Sequence, residues 1–301
     1  MSNAPYNLVL IGVKQVGLRA LQTLLEDKAQ VAAVLTTDSE QNQDLIQLAK
    51  KNKIDVLFDE NISVLKEKKV QRGLMFSYSK RLSQNLINVF SQGIYNFHPA
   101  KLPEYRGCLP TVWPILNGDQ EAFCSVHEVV KDFDAGGVVL QRGIPINADD
   151  TGFSLYERMV DCEINLLKEY ITDFTGEQLN AKVQDESKAK YFKNKMPNNG
   201  EIDWTKKTQY VERFIRAVYH PSFRSAWTSL NNQVVEIIDA EIISDLHSKP
   251  QPGKAFIQNG VLIFGCANGF IRAKEIRLNG VSIKNNIVTN LQQNGAELAR
   301  I

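Results

Sequence analysis

The stretch IYNFHPAKLPEYRG, residues 94–107, combines a strand pattern with an abrupt stop and a polar loop. Alternate side chains of a strand project to the same face, so Asn96 and His98 point the same way. Pro99 cannot continue a central strand, which places this polar pair at the carboxyl end of the strand. Open α/β sheets bind their ligands at that edge. The stretch therefore predicts such a sheet, with two polar side chains at its ligand-binding edge.

The first half of the chain alternates short apolar runs with helical patterns. Strand patterns occupy residues 7–12, 30–37, 54–58, 73–79, 94–98, 124–130 and 136–146, and helical patterns occupy residues 16–27, 42–52, 82–92 and 154–174. Such alternation is expected of a parallel sheet connected by crossover helices. The sequence predicts a Rossmann-like, mostly parallel α/β sheet with helices on both faces.

The composition changes at residues 183–201, VQDESKAKYFKNKMPNNGE, which are polar and rich in Lys and Asn. This composition is typical of a linker. One helical pattern, residues 208–220, is followed by short alternating runs separated by Gly and Asn turns, which favour a small β-barrel or sandwich. The predicted organisation is an α/β domain over residues 1–190, a linker over 191–205 and an OB-like β-barrel domain over 206–301.

Charge and cysteine content exclude several classes of protein. The formal net charge is +1, so no global field attracts the chain to nucleic acid or to an anionic membrane. The four cysteines include no C-x-x-C pair, which argues against a zinc site and a disulfide framework. The amino terminus has no basic region, and its apolar run is too short for a signal segment. We predict a cytoplasmic protein.

Gly12 and Gly17 in GVKQVGLR resemble part of a phosphate-binding loop. The Lys and Ser/Thr that hold phosphate and Mg²⁺ in such a loop are missing, and so is the dinucleotide fingerprint G-x-G-x-x-G. We interpret both glycines as residues of a strand-to-helix turn. Neither a nucleoside triphosphate site nor a nicotinamide site is predicted.

A second polar cluster lies in KDFDAGG, residues 131–137, where Asp132 and Asp134 precede two glycines. An ordinary Asx turn explains such aspartates when they stand alone. Beside Asn96 and His98, a carboxylate permits a further hypothesis. Acyl transfer to an amine needs donors for the developing oxyanion and a group that accepts the proton of the amine. An amide, an imidazole and a carboxylate supply these groups without a Ser or Cys nucleophile.

These residues resemble the formyltransferases that use N10-formyltetrahydrofolate. The family pattern is an Asn-x-His on a strand, an L-P-x-[YW]-R-G loop and a later D-x-G turn. In this sequence the pattern stands as Asn96 to His98, LPEYRG at residues 102–107, and Asp134 to Gly136. The combination is highly specific, although each piece alone is not.

The resemblance covers nearly the whole chain. Family members with a carboxyl-terminal β-barrel carry an IDW segment and an RA helix, and this chain has EIDW at residues 201–204 and FIRAV at residues 214–218. The resemblance therefore implies the same two-domain architecture that the hydrophobic patterns predict.

Roles for individual residues follow from the resemblance. Asn96 and His98 would stabilise the tetrahedral oxyanion, while Asp134 would orient or charge His98 and help to move the proton of the amine. The backbone of the segment MFSYSKRL, residues 75–82, would grip the pterin-like ring of the folate. Together with the loop before Asp134, this gives five candidate residues for binding the co-substrate: Phe76, Ser77, Lys80, Leu82 and Asp132.

Three branches of the family differ in the amine that they formylate. The branch acting on glycinamide ribonucleotide resembles only the first domain. Methionyl-tRNA formyltransferase has both domains, but it carries a basic insertion where this chain has the short acidic TTDSEQNQD, residues 36–44. Phosphate contacts supply much of the affinity for nucleic acid, so this loop weakens the tRNA hypothesis. The lysines between Lys188 and Lys207 keep the hypothesis open, although a solvated linker explains them equally well.

The third branch formylates amino sugars carried on nucleotides, and it is the most similar of the three. Its members place a Trp and an N-G-[DE] turn after the R-G loop, as in PTVWPILNGD at residues 110–119. The carboxyl-terminal pieces resemble the formyltransferase domain of the bacterial enzyme acting on UDP-4-amino-4-deoxy-L-arabinose. HPSFRSA, residues 220–226, departs from the usual P-Y-P-G or P-W-P-G, so the sugar or the subunit contact is expected to differ.

On this hypothesis Tyr105 and Arg106 face the sugar nucleotide, because a planar guanidinium suits a diphosphate. The alternative is that Arg106 anchors its own loop. The predicted partners are a small-molecule nucleotide sugar and, by family expectation, a second copy of the chain.

No metal site is predicted, because His127, His220 and His247 have no partner at ligand spacing. A folate- or nucleotide-binding protein without catalysis is the remaining alternative, and the intact Asn-His-Asp set argues against it.

Overall fold

The chain divides into two compact units. The computed structural model describes residues 7–173, 180–221, 223–230, 233–244, 246, 249–284, 286–293 and 299–300. The first unit comprises Met1–Pro110, Ala122–Ile144 and Glu157–Phe192, and the second comprises Thr111–Glu121, Pro145–Tyr156 and Lys193–Ile301. Thr111–Glu121 and Pro145–Tyr156 therefore cluster with the second unit, although they precede residue 190 in sequence. The domain boundaries given above stay a prediction.

The first half of the chain supplies a mostly parallel sheet. Its elements are β1 (Leu8–Gly12), α1 (Lys14–Glu26), β2 (Val31–Leu35), α2 (Gln43–Lys51), β3 (Asp55–Leu57), α3 (Ile62–Glu67), β4 (Arg72–Phe76), α4 (Gln84–Ile87), β5 (Ile94–His98), β6 (Arg106–Gly107), α5 (Val112–Asn117), β7 (Glu121–Glu128), β8 (Val138–Pro145) and α6 (Gly152–Asp173). Within the described residues the strand order is β3-β2-β1-β4-β5-β7-β8. Neighbouring strands from β3 to β5 are parallel, whereas β7 runs antiparallel to β5.

This strand order confirms the predicted fold class. Every residue of β1 and of β5 is buried, as expected for strands that are covered on both faces. The order 3-2-1-4-5 is that of a doubly wound sheet, in which right-handed crossovers leave the first strand in opposite directions and place helices on both faces. The change of direction between β1 and β4 creates the crevice at which such sheets bind ligands.

Two helices differ from the prediction. The pattern at residues 82–92 gives only the short α4, whose first turn is capped by Ser83 Oγ accepting from Leu86 N at 3.1 Å. The chain then turns, and Phe90 is buried in the hydrophobic core instead of continuing the helix. The pattern did not reveal α3, which is too short for a clear period and begins at an Asn61 cap. The Ser83 cap thus marks where α4 begins, and the turn that buries Phe90 follows its early end.

The remaining elements form the β-domain of the second unit, apart from β9, which pairs with β6 in the first. They are β9 (Tyr191–Phe192), α7 (Thr208–Val218), β10 (Ala226–Leu230), β11 (Gln233–Ile243), β12 (Ala255–Gln258), β13 (Val261–Gly265), β14 (Phe270–Leu278), β15 (Val281–Ile283), α8 (Ile287–Gln293) and β16 (Ala299–Arg300). The sheet order is β10-β11-β14-β13-β12-β16, with β15 beside β14, and most pairs are antiparallel. The predicted smaller β-domain is confirmed.

In the described part of the chain, no helix has the length and apolar character needed to cross a membrane.

Two sequence segments used as family markers are structural anchors of the second unit. Trp204 of EIDW stacks on Phe264 with ring centroids 4.4 Å apart and donates from Nε1 to Thr228 Oγ1 at 3.0 Å. Gly118 of the N-G-D turn has a φ of +77°, and a Cβ there would lie 2.4 Å from the guanidinium of Arg213. The backbone conformation therefore favours glycine, and a larger residue would also force the end of the Arg213 side chain to move.

Candidate active site

Two neighbouring strands present most of the polar side chains of the site. In the β5–β7 pair, Asn96 lies opposite His127 and His98 lies opposite Ser125. Directly opposed residues of an antiparallel pair share a face, so the pairing brings His127 to the side of the sheet that carries Asn96 and His98. All four side chains are buried. The carboxyl end of β5 thus holds an unusual concentration of buried polar groups.

Asp134 joins these groups from the loop between β7 and β8. Its Oδ2 lies 3.7 Å from His98 Nε2, and its Oδ1 lies 3.5 Å from His127 Nε2. His127 Nε2 is in turn 3.1 Å from Asn96 Nδ2. Asn96, His98, His127 and Asp134 therefore form one connected set, which we call the polar centre. The structure brings together the three residues that the sequence predicted to be catalytic.

The turn that carries Asp134 is tightly constrained. Asp134 has a φ of 53°, in the left-handed region that Asp tolerates better than most residues. Its Oδ2 accepts a hydrogen bond of 2.8 Å from Gly107 N in the LPEYRG loop. At Gly136, a Cβ would lie only 1.9 Å from the carbonyl oxygen of Glu128, so the loop could not approach β7 with any larger residue. The D-x-G turn is thus what directs the carboxylate towards His98.

Gln184 holds the same turn from the opposite side. Its Nε2 donates to the carbonyl oxygens of Asp134 and Gly136, both at 2.7 Å. Its Oε1 accepts from Arg106 Nε at 3.1 Å and from Arg106 Nη2 at 3.0 Å. We call the chain of contacts from Arg106 through Gln184 to the Asp134 main chain the Gln184 clamp. It links the LPEYRG loop to the D-x-G turn a second time.

The two residues predicted to contact the substrate make contacts within the protein. Arg106 is buried, and besides Gln184 it pairs with Glu186 through Nη2 and Oε1 at 2.6 Å. The Tyr105 ring stacks on Phe192 at 5.6 Å, and the Tyr105 carbonyl oxygen lies 3.4 Å from His98 Nε2. These contacts favour the alternative in which Arg106 anchors its loop. A direct role of Tyr105 or Arg106 in substrate binding stays a prediction.

Burial and charge set the ionisation of the polar centre. Burial opposes the ionisation of Asp134, but His98, His127 and the Gly107 N–H together hold the pKa of its carboxyl well below the usual range. Burial lowers the pKa of His98, an effect that the Asp134 carboxylate offsets only in part. Near neutral pH the centre therefore contains a carboxylate and a neutral His98. Burial, and then Asp134, also raise the pKa of the nearby Cys108 thiol, which disfavours a thiolate nucleophile.

The segment predicted to bind the folate begins where β4 ends, beside the end of β5. We call residues 76–82 the folate segment. Phe76 is buried and stacks on Phe97 with ring centroids 4.4 Å apart, and Leu82 belongs to the hydrophobic core. Lys80 is exposed, and Ser77 has a φ of 51°. The side chains of Phe76 and Leu82 are thus committed to the core and are not free to contact a ligand.

Asp132, the fifth predicted co-substrate residue, lies in the exposed loop before the polar centre. The next residue, Phe133, packs beneath Arg81, with the guanidinium carbon 5.1 Å from the ring centroid. This contact brings the loop beside the folate segment. The two parts of the predicted co-substrate site are therefore neighbours, while the contacts of their side chains with a ligand stay predictions.

Outside the polar centre, the structure describes one further histidine, His220. Among the described residues, no group of three His, Cys, Asp or Glu side chains is placed to hold a metal ion. His220 packs in an aromatic group, with ring centroids 4.9 Å from Phe153 and 4.6 Å from Phe223. His247 lies outside the described residues.

Sequence reasoning missed His127 and Gln184 as members of the site. His127 and Ser125, two residues apart in CSVHEVV, project to the same face of their strand. The position of His127 opposite Asn96 depends on the β5–β7 register, which hydrophobic alternation does not specify. Gln184 lies in the polar stretch that was interpreted as a linker. Its partners, Arg106 and the D-x-G turn, are distant in sequence, so no local pattern could have revealed it.

Two family models match the chain. The formyl transferase model matches residues 18–171, and the model of the formyl transferase carboxyl-terminal domain matches residues 195–286. The first match contains the whole polar centre. The two matches together extend over most of both predicted domains.

Individual relatives agree with these matches. The bifunctional polymyxin resistance protein ArnA of Wigglesworthia glossinidia brevipalpis is 26% identical over 255 residues, which are 81% of this chain and 39% of ArnA. The chain thus spans about two-fifths of the length of this relative.

Solved structures share the fold at low sequence identity. WlaRD, a sugar 3N-formyl transferase solved with dTDP and 5-N-formyl-THF, has a TM-score of 0.73 and 20% identity, covering 89% of this chain and 97% of WlaRD. The N-formyltransferase of Helicobacter canadensis, solved with folinic acid and dTDP-3-aminofucose, has a TM-score of 0.72 and 22% identity, covering 89% and 98%. Since the first family model alone covers half of the chain and the second adds its carboxyl-terminal domain, the chain belongs to the formyl transferase family and is a formyltransferase.

Proposed function

We propose that the enzyme transfers a formyl group from N10-formyltetrahydrofolate to the amine of a nucleotide-linked amino sugar. The observation that carries this proposal is the convergence of Asn96, His98 and Asp134 at the carboxyl end of β5, with an ionised carboxylate beside a neutral imidazole. These are the groups needed to transfer an acyl group to an amine without a covalent enzyme intermediate.

The reaction proceeds by direct attack of the amine. The amine nitrogen forms a bond to the formyl carbon, and the carbonyl electrons move to the formyl oxygen, which becomes an oxyanion. Asn96 and His98 donate hydrogen bonds to that oxygen. The attacking nitrogen loses a proton with the help of Asp134, the bond from carbon to N10 breaks, and N10 takes up a proton. The products are the N-formylated sugar and tetrahydrofolate.

The placement of the folate segment suits this chemistry. It leaves the sheet at the same edge as the polar centre, because β4 and β5 are parallel neighbours and Phe76 lies beside Phe97. Backbone groups of an irregular segment can bind the polar edge of a pterin, as they commonly do in ligand pockets. N10-formyltetrahydrofolate is therefore the proposed co-substrate, with Asp132 at the border of its site.

The choice of a sugar nucleotide as acceptor rests on two supports. WlaRD and the Helicobacter canadensis enzyme, which share the fold over most of this chain, were solved with dTDP or a dTDP-linked amino sugar. The loop after β2 contains Asp38 and Glu40, so it does not supply the positive charge that tRNA phosphates attract. A methionyl-tRNA acceptor is the alternative.

The test is a panel of acceptors assayed with purified protein. N10-formyltetrahydrofolate would be supplied with UDP-, dTDP- and GDP-linked amino sugars and, separately, with charged initiator methionyl-tRNA. Tetrahydrofolate release and the mass gain of the acceptor would be measured. Formylation of a sugar nucleotide but not of tRNA is expected. Formylation of tRNA alone would overturn the acceptor assignment, and folate binding without any turnover would favour the non-catalytic alternative.

A further inference from the structure

His127 is the one member of the polar centre that the proposed reaction does not use. It lies on β7 directly opposite Asn96, and only 2% of the residue is exposed. Its Nε2 is 3.1 Å from Asn96 Nδ2, which is hydrogen-bonding distance. The amide nitrogen of Asn can only donate, so His127 Nε2 must accept and therefore carries no proton in this arrangement.

The other ring nitrogen supports the same protonation state. His127 Nδ1 lies 2.8 Å from the carbonyl oxygen of Glu128, an acceptor. A proton on Nδ1 satisfies this contact, and the neutral ring then leaves Nε2 as the acceptor for Asn96. A single tautomer thus satisfies both contacts.

The remaining neighbours of His127 include one group, the Asp134 carboxylate, that competes with Asn96 by favouring a proton on Nε2. The facing groups are Asp134, whose Oδ1 is 3.5 Å from Nε2, and His98, whose ring centroid is 6.1 Å away. A proton on Nε2 would point at Asp134, but it would also meet the NH2 group of Asn96. The shorter distance is the one to Asn96, so the geometry favours the state in which Asn96 donates.

This contact fixes which way the Asn96 amide faces. One N–H of its NH2 group is bound to His127 Nε2, so the second N–H of the same nitrogen remains to donate elsewhere. If the amide were flipped, its carbonyl oxygen would face the lone pair of Nε2. A flip would also place an acceptor where the second N–H now lies, and an acceptor cannot stabilise an oxyanion at that place.

We infer that His127 is a positioning residue, whose unprotonated Nε2 holds the Asn96 amide with its NH2 group directed for donation to the formyl oxygen. The catalytic consequence of this inference rests on the proposed function. The hydrogen bond between His127 and Asn96 does not depend on that function. His127 orients the Asn96 amide and does not itself act on the reacting atoms.

A double-mutant cycle tests the catalytic consequence. His127→Phe keeps a planar ring but removes the acceptor, and it should lower kcat by about 100-fold, as expected for loss of one oxyanion donor, with little change in either KM. His127→Gln can place its Oε1 as an acceptor for Asn96 and should restore most of this loss. In an Asn96→Ala background, His127→Phe should have almost no further effect on kcat, because the group that it positions is gone.

Other outcomes would overturn the inference. A full additional loss of kcat on top of Asn96→Ala would mean that His127 acts elsewhere. If the effect of His127→Phe disappeared instead in an Asp134→Asn background, the partner would be Asp134. A loss that His127→Gln does not restore, accompanied by a lower melting temperature, would indicate a purely structural role.

A spectroscopic measurement separates this inference from the proposed function. Nitrogen-15 correlation spectra of the imidazole rings distinguish protonated from unprotonated ring nitrogens, and the chain has only four histidines to assign. The expected result for His127 is a protonated Nδ1 and an unprotonated Nε2 near neutral pH. A proton on Nε2 would overturn the positioning role whatever acceptor the enzyme uses. If the expected tautomer is observed but no acceptor in the panel is formylated, the proposed function is wrong, while the hydrogen bond between His127 and Asn96 stands.

Discussion

The polar centre and the folate segment lie at the ends of adjacent strands, yet they are built in opposite ways. In the polar centre, Asn96, His98 and His127 are buried and are held by one another or by Asp134. In the folate segment the apolar Phe76 is buried, while Lys80 is exposed. One region therefore places its polar side chains inside the protein, and the other places them outside.

The difference indicates how the two regions would handle their ligands. Polar groups that are already oriented need little reorganisation when charge develops on a reacting oxygen, and this is a major source of catalysis. A segment that binds its ligand through backbone groups, as predicted for the folate segment, would depend on its main-chain conformation instead of on the identity of its side chains. Side-chain substitutions should therefore have large effects in the polar centre and small effects in the folate segment.

The largest effect is expected for His98→Ala. Removing the imidazole eliminates the proposed donor to the oxyanion and the neighbour of Asp134, so kcat should fall by about 1,000-fold or more. Stopped assays with the preferred acceptor would measure kcat, and equilibrium titration would measure folate affinity, which should stay close to that of the wild type. Turnover within tenfold of the wild type would contradict the assigned role of His98.

A smaller loss should follow when the Gln184 clamp is opened. Gln184→Glu keeps the size of the side chain and can still accept from Arg106, but it cannot donate to the carbonyl oxygens of Asp134 and Gly136. Residues that orient catalytic groups typically contribute about 10- to 100-fold, and we expect a loss of kcat in this range.

Glu186→Gln is the matched control for the clamp. Glu186 pairs with the same Arg106, but its side chain is 70% exposed, and exposed ion pairs contribute little. Its kcat should stay within about twofold of the wild type, in line with that small contribution. Equal losses in the two variants would show that the charge of Glu186, and not the contact with the D-x-G turn, governs the rate.

In the folate segment, backbone conformation should matter more than side-chain chemistry. Ser77 has a φ of 51°, which glycine adopts easily and a β-branched residue does not. Ser77→Gly and Lys80→Ala should change the KM for the co-substrate by less than about threefold, whereas Ser77→Val should raise it clearly. Steady-state kinetics with varied co-substrate would measure this. A large effect of Lys80→Ala would assign the ligand contact to the side chain.

The smallest expected effect is on stability as the pH falls. The pKa of His98 is lowered in the folded protein, chiefly by burial, so the unfolded chain takes up this proton first. The stabilisation is complete above about pH 6.5, the usual value for histidine, and is lost as the pH falls through the lowered value. One proton changes the free energy of unfolding by at most about 1.4 kcal/mol per pH unit.

Denaturant titrations between pH 8 and pH 5 would detect this dependence. His98→Gln should show a shallower fall over that range than the wild type. Asp134 does not interfere, because its pKa is lowered from an already acidic value and its contribution is lost only at lower pH. An identical slope in the two proteins would mean that His98 is not buried in its neutral form.

Much of this arrangement could be predicted from local sequence. Strand parity and Pro99 placed Asn96 and His98 at the ligand-binding edge, and the alternation of elements gave the doubly wound sheet. The catalytic role of Asp134 was predicted from the family resemblance, because the local sequence alone is equally compatible with an ordinary Asx turn. His127 could not be predicted, because its contact depends on the register between two strands that parity leaves undetermined.

The remaining differences also have local causes. Hydrophobic period alone extended α4 too far, since it does not register the Ser83 cap or the turn that buries Phe90. Arg106 was expected to face a ligand because of its chemistry, whereas Gln184 and Glu186 bind it within the protein. Gln184 itself was hidden in a stretch whose average composition is that of a linker.

The Gln184 clamp also ties catalysis to the last stages of folding. Arg106 and Gln184 are 78 residues apart in sequence, and Gln184 and Asp134 are 50 apart. Closing a flexible loop of such length costs about 4 kcal/mol of chain entropy, so these contacts form only after the sheet has brought distant segments together. Local opening around Gln184 would release the turn of Asp134 while the strands stay paired. On heating, activity is therefore expected to disappear at a lower temperature than the far-ultraviolet circular dichroism signal of the folded chain.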